Sequence, residues 1–136
     1  MRNIPYETLD PNIKDLVRTL NEFKGIDTIG SCGGHPDPKS GQWAEGTYYV
    51  TFTVDHNEAG WFALEFLAWL INHDYRRAGH AVTIYPDSLP PYLNEPGRCL
   101  RFALEGVEGE DPTELARIIH EAREQYYIPP RVLKED

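Results

Sequence analysis

The order of apolar and polar side chains divides the chain into seven elements. The clearest is residues 47–54, where Tyr48, Val50, Phe52 and Val54 alternate with Thr47, Tyr49, Thr51 and Thr53. A period of two predicts a strand with one core face and one polar face, as in an antiparallel sheet covered on one side. Upstream, Ile13, Leu16, Val17, Leu20 and Phe23 recur at helical spacing, with Asp10 as the predicted cap, Pro11 at the first helical position and Gly25 as the stop. Residues 26–32 read as a short strand, and the glycine- and proline-rich stretch behind them reads as a loop. Asp55 and Glu58 stand at capping-box spacing before a helix over residues 57–72. Its apolar positions, including Phe62, Phe66, Trp69 and Ile71, cover more than half of the helical wheel. Such a helix lies centrally on the sheet between two others or contributes to a subunit interface. Residues 80–85 and 98–105 are predicted strands, the second with Leu100, Phe102 and Leu104 on its core face and Cys99, Arg101, Ala103 and Glu105 opposite. The last helix opens with Asp111, Pro112 and Glu114 and turns Leu115, Ile118, Ile119 and Ala122 inward.

The resulting order, α-β-β-α-β-β-α, predicts a single α+β domain over residues 1–136. Its expected architecture is a two-layer sandwich with a four-stranded, mainly antiparallel sheet and three helices on one face. The uncovered face would carry Tyr49, Thr51, Thr53, Thr83, Tyr85, Cys99 and Arg101. Tyr49, Tyr85 and Arg101 could stack on nucleic-acid bases there, or the face could join two copies of the chain.

Composition narrows these choices. A chain of 136 residues that is 40% hydrophobic is long enough to bury a core in one domain. Its two cysteines, Cys32 and Cys99, exclude a disulfide framework as the main stabiliser. With 13 basic against 22 acidic side chains the formal charge is −9, which opposes nonspecific attraction to phosphate backbones. Nucleic acid is therefore not the expected partner, and a homodimer is. The first residues contain no apolar run of signal-peptide type and no segment is apolar enough to span a membrane, so the expected setting is cytoplasmic, without membrane contact.

The chemistry concentrates at Thr28-Ile29-Gly30-Ser31-Cys32-Gly33-Gly34-His35. A cysteine at a strand end followed by two glycines can present its thiol and nearby amide N–H groups to a pocket. In one reading Cys32 is a nucleophile on a tight turn, with His35, or His56 brought in by the fold, as the base; His80 is a further candidate. In a second, Cys32 and His35 are metal ligands completed by His56, His80 or Asp37, although no second paired motif accompanies them and no metal is assigned. In a third, Thr28, Ser31, Gly33 and Gly34 cradle a small or anionic ligand, with His35 and Lys39 adding charge and Trp43 closing over it as a lid. The plain structural alternative is a small buried cysteine in a glycine turn capped by His35. The expectation is a small-ligand or anion pocket at residues 30–35, with thiol-dependent catalysis through Cys32, His35 and His56 as the alternative. No cofactor follows from the residues themselves.

The segment Leu20-Asn21-Glu22-Phe23, followed by Thr28, Ser31, Cys32 and Gly34, resembles the tRNA wybutosine-synthesising methyltransferase family. That family carries a Thr-x-Ser-Ser-Cys-Ser-Gly-Arg signature; this chain has Gly30-Ser31 for the serine pair and His35 for the arginine. The likeness covers about the first third of the chain. It implies an α/β fold, S-adenosylmethionine as methyl donor and a tRNA guanosine derivative as acceptor, with Thr28, Ser31 and Cys32 lining the site. The chain is also similar to small proteins with a Thr-x-x-Ser-Cys-x-Gly-His signature.

Overall fold

The computed structural model describes residues 5–87 and 100–128. Cys99, most of the proline-rich connection and the tail with Pro129 and Pro130 lie outside the described residues.

The alternating segment becomes β2 (Tyr48–Val54), an inner strand of a four-stranded sheet. It pairs with β1 (Ile26–Cys32) on one side and β4 (Leu100–Gly106) on the other, and β3 (Val82–Pro86) closes the far edge. All three pairings are antiparallel. Val50, Phe52 and Val54 are completely buried and form one core cluster with Phe102, Leu104, Val82 and Ile84. The same cluster takes in Leu16 and Leu20 of α1 (Lys14–Asn21), Ala63 and Leu67 of α2 (Glu58–Ala68), and Leu115 and Ile119 of α3 (Pro112–Tyr126). The fold is thus the two-layer α+β sandwich that the patterning predicts. Removing each such side chain from water contributes about 1.5–3 kcal/mol, so the buried face of β2 anchors the helix layer. On the other face Thr51, Thr53 and Thr83 are half-buried, whereas Tyr85 and Arg101 are exposed. The Tyr85 hydroxyl donates to Glu105, and Arg101 donates to the Asp87 carbonyl at 3.0 Å. Among the described residues no helix is long and apolar enough to cross a membrane.

Three local expectations change. Asp10 does not cap α1: the capping position is Ile13, and the Asp10 carboxylate is committed to residues more than twenty positions away. At α2 the cap is Asn57, whose side chain accepts from the Gly60 N–H at 2.9 Å, in place of the expected Asp55. The Asp55 N–H instead donates to the Gly25 carbonyl at 2.9 Å. Finally, the helix predicted to end at residue 72 continues as a π-helical segment, Trp69–Tyr75. Its inner side buries Leu70 and Ile71, while Trp61 and Trp69 remain 46% and 45% exposed, so α2 is not enclosed on both sides.

Two asparagines, Asn21 at the end of α1 and Asn72 within the π-helical segment, cover the two edges of the sheet. Asn21 accepts from the Thr28 N–H at 3.1 Å and donates to the Thr28 hydroxyl at 2.7 Å. At the far edge Asn72 accepts from the Ile84 N–H at 2.8 Å and donates to the Ile84 carbonyl at 2.9 Å. Each side-chain amide takes the place of a neighbouring strand, which blunts an edge that could otherwise pair with another chain. Asn72→Ala leaves an edge N–H and carbonyl without these partners, and a loss of about 1–3 kcal/mol in chemical denaturation is expected. Unchanged stability would show that water replaces the asparagine without cost.

Candidate functional site

The site begins with an irregularity in β1. Ile26 pairs with Val54 and Thr28 with Phe52, but Gly30 pairs with Thr51 and Cys32 with Tyr49, so the register slips by one residue at Ile29. Directly paired side chains share a face of the sheet. Ile26 and Thr28 therefore point to the core, while Cys32 joins Tyr49 on the opposite face. Without the bulge, strict alternation would have kept Cys32 on the core face with Ile26 and Thr28. Ile29, the extra residue, is 49% exposed.

The chain then turns back on itself. Gly34 has φ +93°, and a Cβ there would lie 2.5 Å from the Thr47 carbonyl oxygen and 2.9 Å from that of Ala44. A Cβ on Gly33 would meet Asn12 Oδ1 at 1.9 Å. The two glycines thus serve close backbone approach: Asn12 packs over Gly33 and donates to its carbonyl at 2.8 Å, and Gly34 brings His35 beside residues 43 and 44. The His35 N–H donates to the Trp43 carbonyl at 2.9 Å, and the Trp43 N–H donates to Cys32 Sγ at 3.4 Å. The Trp43 indole packs against Tyr49 at 4.9 Å between ring centroids, and the Tyr49 hydroxyl donates to the Gly41 carbonyl at 3.2 Å. Burial pushes the Tyr49 phenol above its ordinary range, with the nearby Cys32 and Asp10 adding to the effect.

Asp10 closes the cluster. Its Oδ2 accepts from the Gly33 N–H at 2.9 Å and lies 3.1 Å from His35 Nε2. A carboxylate oxygen of Asp10, the sulfur of Cys32 and a ring nitrogen of His35 all fall within 4.8 Å of one another. Cys32 is 3% exposed, yet it lines a pocket of about 140 Å³ together with Asp10, Ser31, His35, Gly41 and Gln42. Drug-sized ligands occupy roughly 300–1,000 Å³, so this pocket suits a molecule of few heavy atoms.

Of the expected site residues, Cys32, His35 and Ser31 meet at this pocket. Gly33 and Gly34 shape it from behind, the Gly33 N–H being already given to Asp10. Thr28 is buried, with its hydroxyl and N–H bonded to Asn21. Trp43 contributes its backbone to the cluster and is not among the residues lining the pocket. Lys39 is exposed and does not line it either. His56 follows β2 at the end opposite Cys32 and stacks on Trp61, 5.9 Å between centroids. From Tyr49, the partner of Cys32, to Val54 the strand alone runs about 17 Å at ~3.4 Å per residue, so His56 cannot act as the base for Cys32. His80 belongs to the far edge of the sheet, where it stacks on Tyr75 and bonds Glu110 at 3.0 Å. Asp10 and Asn12 were missed as site residues. In sequence Asp10 looks like a helix cap, and no local pattern announces a partner at residue 33 or 35.

No protein-family model matches the chain, and neither the curated proteins nor the solved structures contain a match.

The glycine turn generates a graded prediction. Gly34→Ala introduces a side chain at positive φ and against two carbonyl oxygens, and should cost about 3 kcal/mol or more in chemical denaturation. Gly41→Ala, at φ +82° but with open space around its Cβ, should cost about 1 kcal/mol. Equal losses would show that close approach at Gly34 adds nothing to backbone strain.

Proposed function

We propose that this chain binds a small, uncharged or cationic molecule at the Cys32 end of β1, with Asp10, Cys32 and His35 meeting it as one unit. The observation that carries this reading is the convergence of a carboxylate, a thiol and an imidazole within 4.8 Å at the wall of a pocket. The sign of the ligand follows from the same geometry. An anion would need the Gly33 N–H, which Asp10 already holds, and would face the Asp10 carboxylate across a short distance. The geometry thus favours a neutral or cationic ligand over an anionic one.

The methyl-transfer role implied by the family resemblance has less support at this pocket. A volume of about 140 Å³ is far below what a nucleoside cofactor occupies, and the Thr28 hydroxyl is engaged by Asn21. These residues do not fit S-adenosylmethionine at Cys32.

A second reading, in which Cys32 is a nucleophile, has its own observation: the Trp43 N–H donates to Sγ at 3.4 Å and holds it beside His35 and Asp10. His35 would take the thiol proton and Asp10 would steady the resulting imidazolium. Attack on a carbonyl carbon would then form a sulfur–carbon bond while the C=O π pair moves onto the carbonyl oxygen, which takes back the proton from the His35 imidazolium.

Both readings are tested in a Cys99→Ser background, where Cys32 is the remaining thiol. Against a small free thiol as reference, a cationic methanethiosulfonate reagent should modify Cys32 about tenfold faster than its anionic counterpart, and Asp10→Asn should erase the preference. Equal or inverted rates would overturn the proposed ligand charge. For the second reading, His35→Gln should slow alkylation by iodoacetamide at neutral pH by about tenfold. A rate unaffected by that change would remove the nucleophile.

A further inference from the structure

The three side chains that meet at the pocket are all electron-pair donors, of three kinds: oxygen, sulfur and nitrogen. We propose that Asp10, Cys32 and His35 form a binding site for one thiophilic divalent cation of the zinc type, with a remaining coordination position facing the pocket. The inference rests on the reading that these residues form one unit at a ligand pocket, and it names the cation as an occupant.

Distances agree with this assignment. In tetrahedral zinc sites bonds to nitrogen and oxygen are about 2.0–2.1 Å, which makes the nitrogen–oxygen edge about 3.3 Å. His35 Nε2 and Asp10 Oδ2 stand 3.1 Å apart. With a zinc–sulfur bond of about 2.3 Å the edges to sulfur are about 3.6 Å, so donors already within 4.8 Å need to close by about 1.2 Å at most. The third donor is none of His56, His80 and Asp37: Asp10 is delivered from the turn before α1.

The donors are also supported from behind, as ligands of a metal are. The Gly33 N–H fixes Asp10 Oδ2, the Trp43 N–H points at Cys32 Sγ, and Asn12 holds the Gly33 carbonyl and so the orientation of that peptide. Hydrogen bonds of this kind orient ligands and tune their donor strength. A carboxylate and a thiolate with a neutral imidazole carry two negative charges, which a divalent cation cancels. The thiolate and imidazole select against calcium and magnesium, which take oxygen ligands. Ser31 and Gln42 line the pocket on which the remaining position opens, so a water or a small polar ligand could complete the shell.

The test is a titration of the purified full chain, in the Cys99→Ser background, with cobalt(II) as a spectroscopic stand-in for zinc. A thiolate-to-cobalt charge-transfer band saturating at one cobalt per chain, and bleached by added zinc, is expected. The band should be absent in Cys32→Ser and unchanged in His56→Ala. Asp10→Asn and His35→Gln should each weaken binding by about 100-fold, and Asn12→Ala by about tenfold through the Gly33 peptide. Far-ultraviolet circular dichroism of each variant establishes that it is folded. A spectrum of hydrated cobalt alone, or a band that survives Cys32→Ser, overturns the site. If the band is missing while Cys32 keeps its charge-selective labelling, the cation is wrong and the pocket stands; if both are missing, the pocket reading falls with it.

Discussion

The pairing of β1 with β2 slips by one residue at Ile29, and the placement of every group at the candidate site depends on that slip. Before it, Ile26 and Thr28 face the helices with Val54 and Phe52. After it, Cys32 lies with Tyr49 on the other face, under the turn formed by residues 33–47. Because side chains alternate strictly along a strand, one inserted residue reverses the parity of all that follow. The thiol is thereby taken out of an apolar core and set beside a carboxylate, an imidazole and the Trp43 N–H.

The helix layer makes the slip affordable. Asn21 at the end of α1 holds the Thr28 N–H and hydroxyl just before the bulge, so the edge strand is fixed where its pairing begins to fail. Asn12, in the turn leading into the same helix, holds the Gly33 carbonyl just after the strand ends. Two residues before Asn12, Asp10 reaches the Gly33 N–H and His35. Residues 10–21 therefore act as a clamp along the outer edge of β1, and the core side chains Leu16 and Leu20 anchor that clamp to the rest of the domain.

This arrangement explains the two glycines without assigning them a ligand of their own. Gly33 is small because Asn12 lies over it, and Gly34 takes a positive φ because the chain must fold back beside Ala44 and Thr47. A glycine-rich loop following a strand suggests an anion cradle in sequence. In the folded chain the Gly33 amide that such a cradle would use is satisfied by the Asp10 carboxylate.

What the sequence by itself determined is what short-range periodicity can express. The alternation of residues 47–54 and the helical spacing of Leu16, Val17 and Leu20 specify the strands, the helices and the face on which they meet, since burial of one face is a local pattern repeated along the chain. Cys32, Ser31 and His35 were legible as a cluster because they are close in sequence. Tertiary structure decided which distant group joins them. Asp10 has the local appearance of a cap, but its carboxylate is satisfied by Gly33 and His35, and His56 is carried to the far end of β2 by the antiparallel direction of the pairing. Neither outcome has a local signature, because a hydrogen bond between residues twenty or more positions apart depends on the register of a bulged strand and on the packing of a helix over its edge.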